Sequence, residues 1–579
     1  MLYKFINIFF FLIATILVLM NNNSCGTCRF IKKYLNKFSL HISSLKCTSK
    51  SISTYYFEFV LFLFAFTFYT SVFKLGVVPY GINVDEAGMA YDAISIVNYG
   101  VDRYLNPYPV YFINYGDGQN AMYTYLAALF IKIFDYDILT VRLPAVLLRF
   151  LTFIAIYFIM KSEQSKEGGC VRTLLLLFLF TFCPYFIMQS RWGLESNLLV
   201  GFLTISICLL LYAIRNHSSR LYFLSGVSFG LTLYTYALSY IIIPVFLLLT
   251  GLCLVVLKKI RVGQILLFSV PLVLLAMPLV LMILVNKGFI PEIRGVITIP
   301  LLHFYRGGEV SLGNIFHNFY IIIAMLSFDN PEIYGRQLFF NAIPYFGTVY
   351  YFSIPFFVVG ILSTCKNAIC GIKNKSFNND IVFTIWFFSV LLCDFLIFYP
   401  NINKTNAVFV PVFYFIMQGI VETAKRWNNV KAVLTGIIVL YLLGFSMFSN
   451  YYFSQYNYDS KGLQLFATDY LDVVKYCKHL RHKEIQILDT ISAQPYIYVL
   501  LENKISPYYF KKNNIKVVDN NFEKTYIFKN SMQLASQIGK SGNREEKAYI
   551  VFNNTHWNNK FKVYKLQKKE FGKICLFYE

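Results

Sequence analysis

The stretch FEFVLFLFAFTFYTSVFKLGVVPYGINVDE, residues 57–86, decides how this chain is read. Phe57 to Phe73 is apolar enough to cross a bilayer as a helix, and the segment from Gly76 to Gly81 breaks it. Two adjacent carboxylates, Asp85 and Glu86, follow at the membrane boundary. Charge beside hydrocarbon is costly, so an ionisable pair placed there points to a functional site.

The rest of the chain repeats the first signal. Of 579 residues, 57% are hydrophobic and 14% charged, where a soluble domain carries about a quarter charged. Apolar runs long enough to span recur near 57–75, 138–160, 173–189, 195–214, 221–238, 240–257, 264–285, 347–363, 381–399, 405–421 and 432–448. Phe5 to Met20 adds one more. It has the length of a signal peptide, but no small-residue cleavage site follows, and the run reads as an uncleaved helix. The fold class is an α-helical polytopic membrane protein with about 11–12 transmembrane helices and a small C-terminal extracytoplasmic α/β domain.

The net charge of +22 does not point to nucleic acid, because its distribution follows the spans. Lys32, Lys33, Lys161, Lys166, Arg172, Arg215, Arg220, Lys258, Lys259, Arg261, Lys366, Lys373, Lys425 and Arg426 fall in alternate loops. This is the positive-inside pattern. The other loops, including 76–137 and everything after about Asn450, therefore face outward.

Three regions emerge. Residues 1–50 are a basic leader with the extra span, and 51–450 form the membrane body. Residues 451–579 change to frequent charges and short apolar runs, with strands expected at Glu484–Leu488, Ala548–Phe552 and Ile574–Phe577. In the outward loop, Ala87, Ala90, Tyr91, Ile94 and Val97 recur at helical spacing up to Gly100, and a second helical run covers Gln119–Phe134. Both read as amphipathic helices lying on the membrane surface. The tyrosines crowded there, among them Tyr80, Tyr99, Tyr104, Tyr115 and Tyr123, suit either an interfacial belt or sugar stacking. Most cysteines lie in spans or inward loops; Cys477 and Cys575 are the pair that could bridge. Cys25 and Cys28 have redox spacing without the strand context that chemistry needs.

The order of these features then becomes specific: a first span, Asp85-Glu86, two short helices, and Val141-Arg142-Leu143-Pro144 entering the next span. Ser190-Arg191-Trp192-Gly193-Leu194-Glu195 and Asn403-Lys404-Thr405 follow at later outward ends. This resembles the GT-C glycosyltransferases, in particular the protein O-mannosyltransferase-like family with its aminoarabinose-transferase relatives. The resemblance covers roughly residues 55–450 and is strongest over 76–160.

Such a resemblance implies an inverting transferase at the extracytoplasmic face of a plasma membrane, here bacterial. It implies a polyprenyl-phosphate sugar donor and a protein, glycan or lipid acceptor. An acceptor hydroxyl attacks well only once its proton is removed, and Asp85 is the expected base. Glu86 would orient the acceptor, hold a cation or pair with Arg142; helix capping is the plain alternative for both acids. Arg142, Arg191 and Lys404 are the expected donor-phosphate ligands, with snorkelling to head groups as their alternative. Some relatives place a divalent cation beside the phosphate. Asp117, Glu195 and His303 are the expected substrate or metal contacts, with Glu309 and His317 further acidic or histidine groups in the outward loops, without tight ligand spacing. A metal therefore stays unknown. A polytopic lipid or polysaccharide transporter, and a non-catalytic GT-C-like subunit, are the competing readings.

Overall fold

A computed structural model describes residues 2–19, 51–115, 117–164, 168–302, 315–326, 341–343, 346–398, 400–427, 429–458, 466–480, 484–488, 494–512, 516–519, 524–529, 547–553, 558–559, 561–562 and 565–578. Cys25, Cys28, His303 and Glu309 lie outside them.

The first half runs α1 (Leu2–Leu19), α2 (Ser51–Val72), α3 (Val84–Tyr99), hairpin β1 (Tyr111–Asn114) and β2 (Asp117–Asn120), then α4 (Ala121–Phe134). Next come α5 (Ile138–Lys161), α6 (Gly169–Phe182), α7 (Pro184–Gln189), α8 (Glu195–Asn216), α9 (Ser219–Thr232), α10 (Ser239–Val256) and α11 (Val262–Asn286). The body is completed by α12 (Ile315–Leu326), α13 (Ile354–Lys373), α14 (Asn379–Leu396), α15 (Phe409–Lys425) and α16 (Val430–Ser454).

Among the described residues, 9 helices are long and apolar enough to cross a membrane. Two expected spans come out shorter. The run 173–189 divides at Pro184, which lacks the N–H to continue α6 and opens α7 instead. The run 221–238 leaves α9 at Thr232 and continues as single turns to Leu238. Helices pack closely where side chains are small: a Cβ on Gly360 of α13 would strike the Phe415 carbonyl of α15, and one on Gly419 would strike Phe356. Helix α1 packs on this body, with Phe10 edge-on to Phe352 at 5.9 Å and the Trp427 Nε1 donating to the Leu17 carbonyl at 3.2 Å.

After α16 come α17 (Thr468–Cys477), β3 (Glu484–Leu488), α18 (Tyr496–Glu502) and α19 (Pro507–Lys512). Strands β4 (Lys516–Asp519), β5 (Lys524–Lys529), β6 (Lys547–Phe552), β7 (Gln567–Phe571) and β8 (Ile574–Tyr578) complete one sheet in the order β4-β5-β3-β6-β8-β7. Its centre is parallel, β3 pairing with β5 and β6, and its edges are antiparallel. Cys477 and Cys575 are both buried and form no disulfide with each other.

Helix α3 departs from the surface placement expected of it. Its side chains from Glu86 to Ile96 are buried, because the C-terminal domain covers the face turned away from the body. Tyr91, Ile94 and Ala87 share a core with Val473, Tyr498 and Leu500, and the Tyr91 hydroxyl donates to the Ile505 carbonyl at 2.6 Å. The helix carrying the acidic pair is thus clamped between the two regions.

Candidate active site

The site is built on the first turn of α3. Asn83 caps it, accepting from the Asp85 N–H at 2.9 Å, while Glu86 reaches back to the Asn83 N–H at 3.4 Å. This is a capping box, so the capping reading of the pair holds for Glu86. Tertiary contacts then separate the two acids. Glu86 is fully buried and takes Arg142 as a fork, Nε to Oε1 at 2.9 Å and Nη2 to Oε2 at 3.1 Å, with the Gly193 N–H at 2.6 Å. Asp85 is half-buried and accepts from Asn114 Nδ2 at 3.3 Å. Of the tasks considered for Glu86, pairing with Arg142 is the one seen.

The arginines hold the loop that leads to this turn. Besides Glu86, Arg142 donates to the carbonyls of Leu75 (3.0 Å), Pro79 (2.8 Å) and Gly81 (2.8 Å). Arg191 donates to Thr70 (2.9 Å), Ser71 (3.0 Å), Phe73 (2.6 Å) and twice to Val78 (3.2 and 2.9 Å). A guanidinium has five N–H groups, and both side chains spend theirs on these partners. The direct phosphate contact expected of Arg142 and Arg191 therefore finds no spare donor in this structure. Both are buried because the loop carbonyls beyond α2 have no helical partner and need one.

The β1–β2 hairpin lines the other side of Asp85. Its register sets Asp117 opposite Asn114, the residue whose amide reaches Asp85. At its far end the Asn120 N–H donates to Glu195 Oε2 at 2.5 Å, and Tyr240 donates to Asn120 Oδ1 at 2.7 Å. Asp85, Asp117 and Glu195 are thereby strung along one hairpin. The loop before Lys404 is tied in through its neighbour Asn403: Trp192 Nε1 donates to Asn341 Oδ1 at 2.8 Å, and Asn341 donates to Asn403 Oδ1 at 2.8 Å. The Lys404 Nζ donates to the Phe398 carbonyl at 2.9 Å. His317 is exposed on α12. Among the described residues no three His, Cys, Asp or Glu side chains form a group that could hold a metal.

The sequence reading missed the support under Asp85. Asp92 and Arg103 form a fully buried pair, Nη2 to Oδ2 at 2.7 Å and Nε to both carboxylate oxygens at 3.0 and 3.1 Å. The guanidinium lies 5.2 Å from the Tyr115 ring centre, and the Tyr115 hydroxyl donates to the Val84 carbonyl at 2.6 Å. Burial raises the Tyr115 and Tyr498 phenols well above their usual range, with the Asp85 carboxylate adding to the rise, so both remain protonated donors. The sequence signal for this pair was a third acid, Asp92, on the buried stretch of a helix whose other two acids sit in its first turn.

Gly88, one turn after Asp85, makes that arrangement fit. A Cβ there would lie 2.7 Å from Arg103 Nη2, 2.9 Å from Asn114 Oδ1 and 3.0 Å from the Tyr115 hydroxyl. Gly88→Ala is expected to destabilise the protein by about 1–3 kcal/mol through this overpacking, despite alanine's better helix propensity. A melting temperature equal to or above wild type would contradict it.

Asp102, in the turn after α3, accepts from the N–H groups of Tyr104 (2.8 Å) and Asn106 (2.8 Å) and from Asn106 Nδ2 (3.0 Å). Burial, reinforced by nearby Asp92, pushes its carboxyl up to about 6 from 3.8. The folded state then binds this proton more tightly than the unfolded chain. Stability from this group is present below pH 4 and declines as pH rises towards 6. Melting curves across that window should show a weaker decline in Asp102→Asn than in wild type.

With this geometry in hand, the chain can be set beside known proteins. Residues 119–285 match the family model described as dolichyl-phosphate-mannose-protein mannosyltransferase. The solved structure of ArnT from Cupriavidus metallidurans bound to undecaprenyl phosphate superposes with a TM-score of 0.53 at 9% identity, over 91% of this chain and 98% of that one. The same protein in its apo state gives 0.52 at 10% identity with the same coverage. The chain has the fold of ArnT, and residues 119–285 of it match the mannosyltransferase family model. The archaeal oligosaccharyltransferase AglB from Archaeoglobus fulgidus, in complex with an inhibitory peptide and a dolichol-phosphate, is more distant. It gives 0.43 at 12% identity over 78% of this chain and 64% of that one. No curated protein sequence matches the chain. The family match begins at β2 and runs through α11, so Asp85 lies ahead of it and Arg142, Arg191 and Glu195 within it.

Proposed function

We propose that this protein is a membrane glycosyltransferase. It moves a sugar from a polyprenyl-phosphate donor to an acceptor at the extracytoplasmic face of a bacterial plasma membrane. The fold supports the reaction class, and the undecaprenyl phosphate bound to ArnT supports a lipid-phosphate donor. The observation that carries the site assignment is the unequal setting of the two acids: Glu86 is locked by Arg142, while Asp85 stays half-buried at the edge of the hairpin.

In this mechanism Asp85 takes the proton of an acceptor hydroxyl. The acceptor oxygen bonds to the anomeric carbon, the bond from that carbon to the phosphate oxygen breaks, and its electron pair leaves with the lipid phosphate. Attack from the opposite face inverts the anomeric centre. Arg142 and Arg191 act as positioning residues that fix the loop before Asp85. Glu86 answers the Arg142 charge, while Arg191, held by neutral carbonyls, still favours an anion nearby, since in a low dielectric a cation acts beyond hydrogen-bond range. Lys404 is the proposed phosphate contact, an ammonium on a flexible stem. Asp117 and Glu195 would contact acceptor or sugar hydroxyls from the hairpin. No metal-bound step is assigned.

The domain boundaries fit this reading: 1–50 as leader, 51–450 as the catalytic body with the 76–137 loop, and 451–579 covering α3. The test supplies labelled polyprenyl-phosphate hexoses and pentoses to membranes with and without the chain. Label should appear in a lipid, glycan or protein fraction only when the chain is present, and mass spectrometry of that fraction names the acceptor. Absence of chain-dependent transfer from every such donor would overturn the proposal.

A further inference from the structure

A second arginine cluster lies deeper than the site. Arg149 sits two turns beyond Arg142 on α5 and is 4% exposed. Its Nη1 donates to the hydroxyls of Thr70 (3.0 Å) and Ser71 (2.9 Å), and its Nη2 to the Thr181 carbonyl (3.1 Å). Its buried Nε has no hydrogen-bond partner among the described residues. Arg191 meets the same Thr70 and Ser71 through their carbonyls. Two guanidiniums thus converge on the last turn of α2, and the hydrogen bonds of both go to neutral groups.

The α2 dipole, negative at this end, offsets part of the Arg191 charge. Among the described residues Arg149 has two hydroxyls, one carbonyl and the face of the Phe180 ring, 5.8 Å from its guanidinium carbon, and no carboxylate. Beside it is a cavity of about 20 Å³, lined by Arg149, Thr152, Gln189, Ser190, Asn197 and Gly201 among others. That is room for one water-sized occupant and too little for a phosphate. Water would satisfy Nε yet add no countercharge, leaving the buried cation with only the partial offset of the Phe180 ring. An anion would do both, and a charge-assisted hydrogen bond is the stronger kind.

We propose that this cavity is a binding site for a small monovalent anion of the halide class, chloride being the abundant one. The site is coupled to the loop above: Gln189 and Ser190 immediately precede Arg191, which holds residues 70–78, and Gly193, which holds Glu86. This inference stands independently of the transferase reading, because its test needs no sugar substrate.

The full chain, purified in detergent, is melted in chloride, bromide and gluconate, the last too large for the cavity. The melting temperature is expected to fall by about 2–4 °C in gluconate and to recover in bromide. Crystals grown in bromide should show an anomalous peak beside Arg149. Arg149→Gln should remove the halide response. Thr152→Asp, which places a carboxylate three residues along the same helix face, should remove it at an undiminished melting temperature, so a poorly folding Arg149→Gln does not leave the question open. Equal melting in chloride and gluconate, no bromide peak, or a response surviving in Thr152→Asp would each overturn the site and leave water as the occupant.

Discussion

Asp85→Asn is expected to lower the initial rate of sugar transfer by about 10²–10⁴-fold, the usual contribution of a positioned general base. The substitution changes little else. The Asp85 N–H still bonds to Asn83, and an amide oxygen can still accept from Asn114 Nδ2. Half-buried and outside the Glu86–Arg142 lock, the isosteric side chain should shift stability by about 1 kcal/mol or less. The variant should therefore accumulate normally and melt like wild type while failing to transfer. Rates measured with a labelled polyprenyl-phosphate sugar settle the matter: more than about a tenth of wild-type activity would remove Asp85 from the role of base.

Arg142→Met is expected to do the opposite kind of damage, to the fold first and to activity through it. Removing the guanidinium leaves Glu86 buried with only the N–H groups of Gly193 and Asn83. It also leaves the Leu75, Pro79 and Gly81 carbonyls without this donor. Breaking one side of a buried pair is destabilising by about 3–5 kcal/mol. The double variant Glu86→Gln, Arg142→Met carries no stranded charge and should be more stable than the sum of its single losses, with a coupling of about 1–3 kcal/mol. Thermal melts of the four proteins give the cycle. Strict additivity would mean that Arg142 does not hold Glu86.

The expected helices and three of the strands were legible because their signals are local. Apolar length marks a span, and apolar alternation marks Glu484–Leu488. The Gly100 stop, in left-handed conformation at φ 70°, likewise sits within one turn of the helix end it defines. The misses were of another kind. Hairpin β1–β2 is short, and its Gln119 and Asn120 read as the start of the following helix. Helix α3 looked interfacial because the domain that covers it arrives hundreds of residues later.

The sequence by itself determined that this is a membrane protein and that Asp85 and Glu86 stand at the end of its first long span. Hydropathy and turn chemistry are properties of neighbours in the chain. Only the tertiary structure decided which acid stays reachable and what the arginines do. Glu86 is claimed by Arg142 from 56 residues away and by Gly193 from 107, and Arg191 reaches back 118 residues to Phe73. A buried charge must be paired and a loop carbonyl must find a donor. Which partner answers depends on how the helices pack, and that no local pattern encodes.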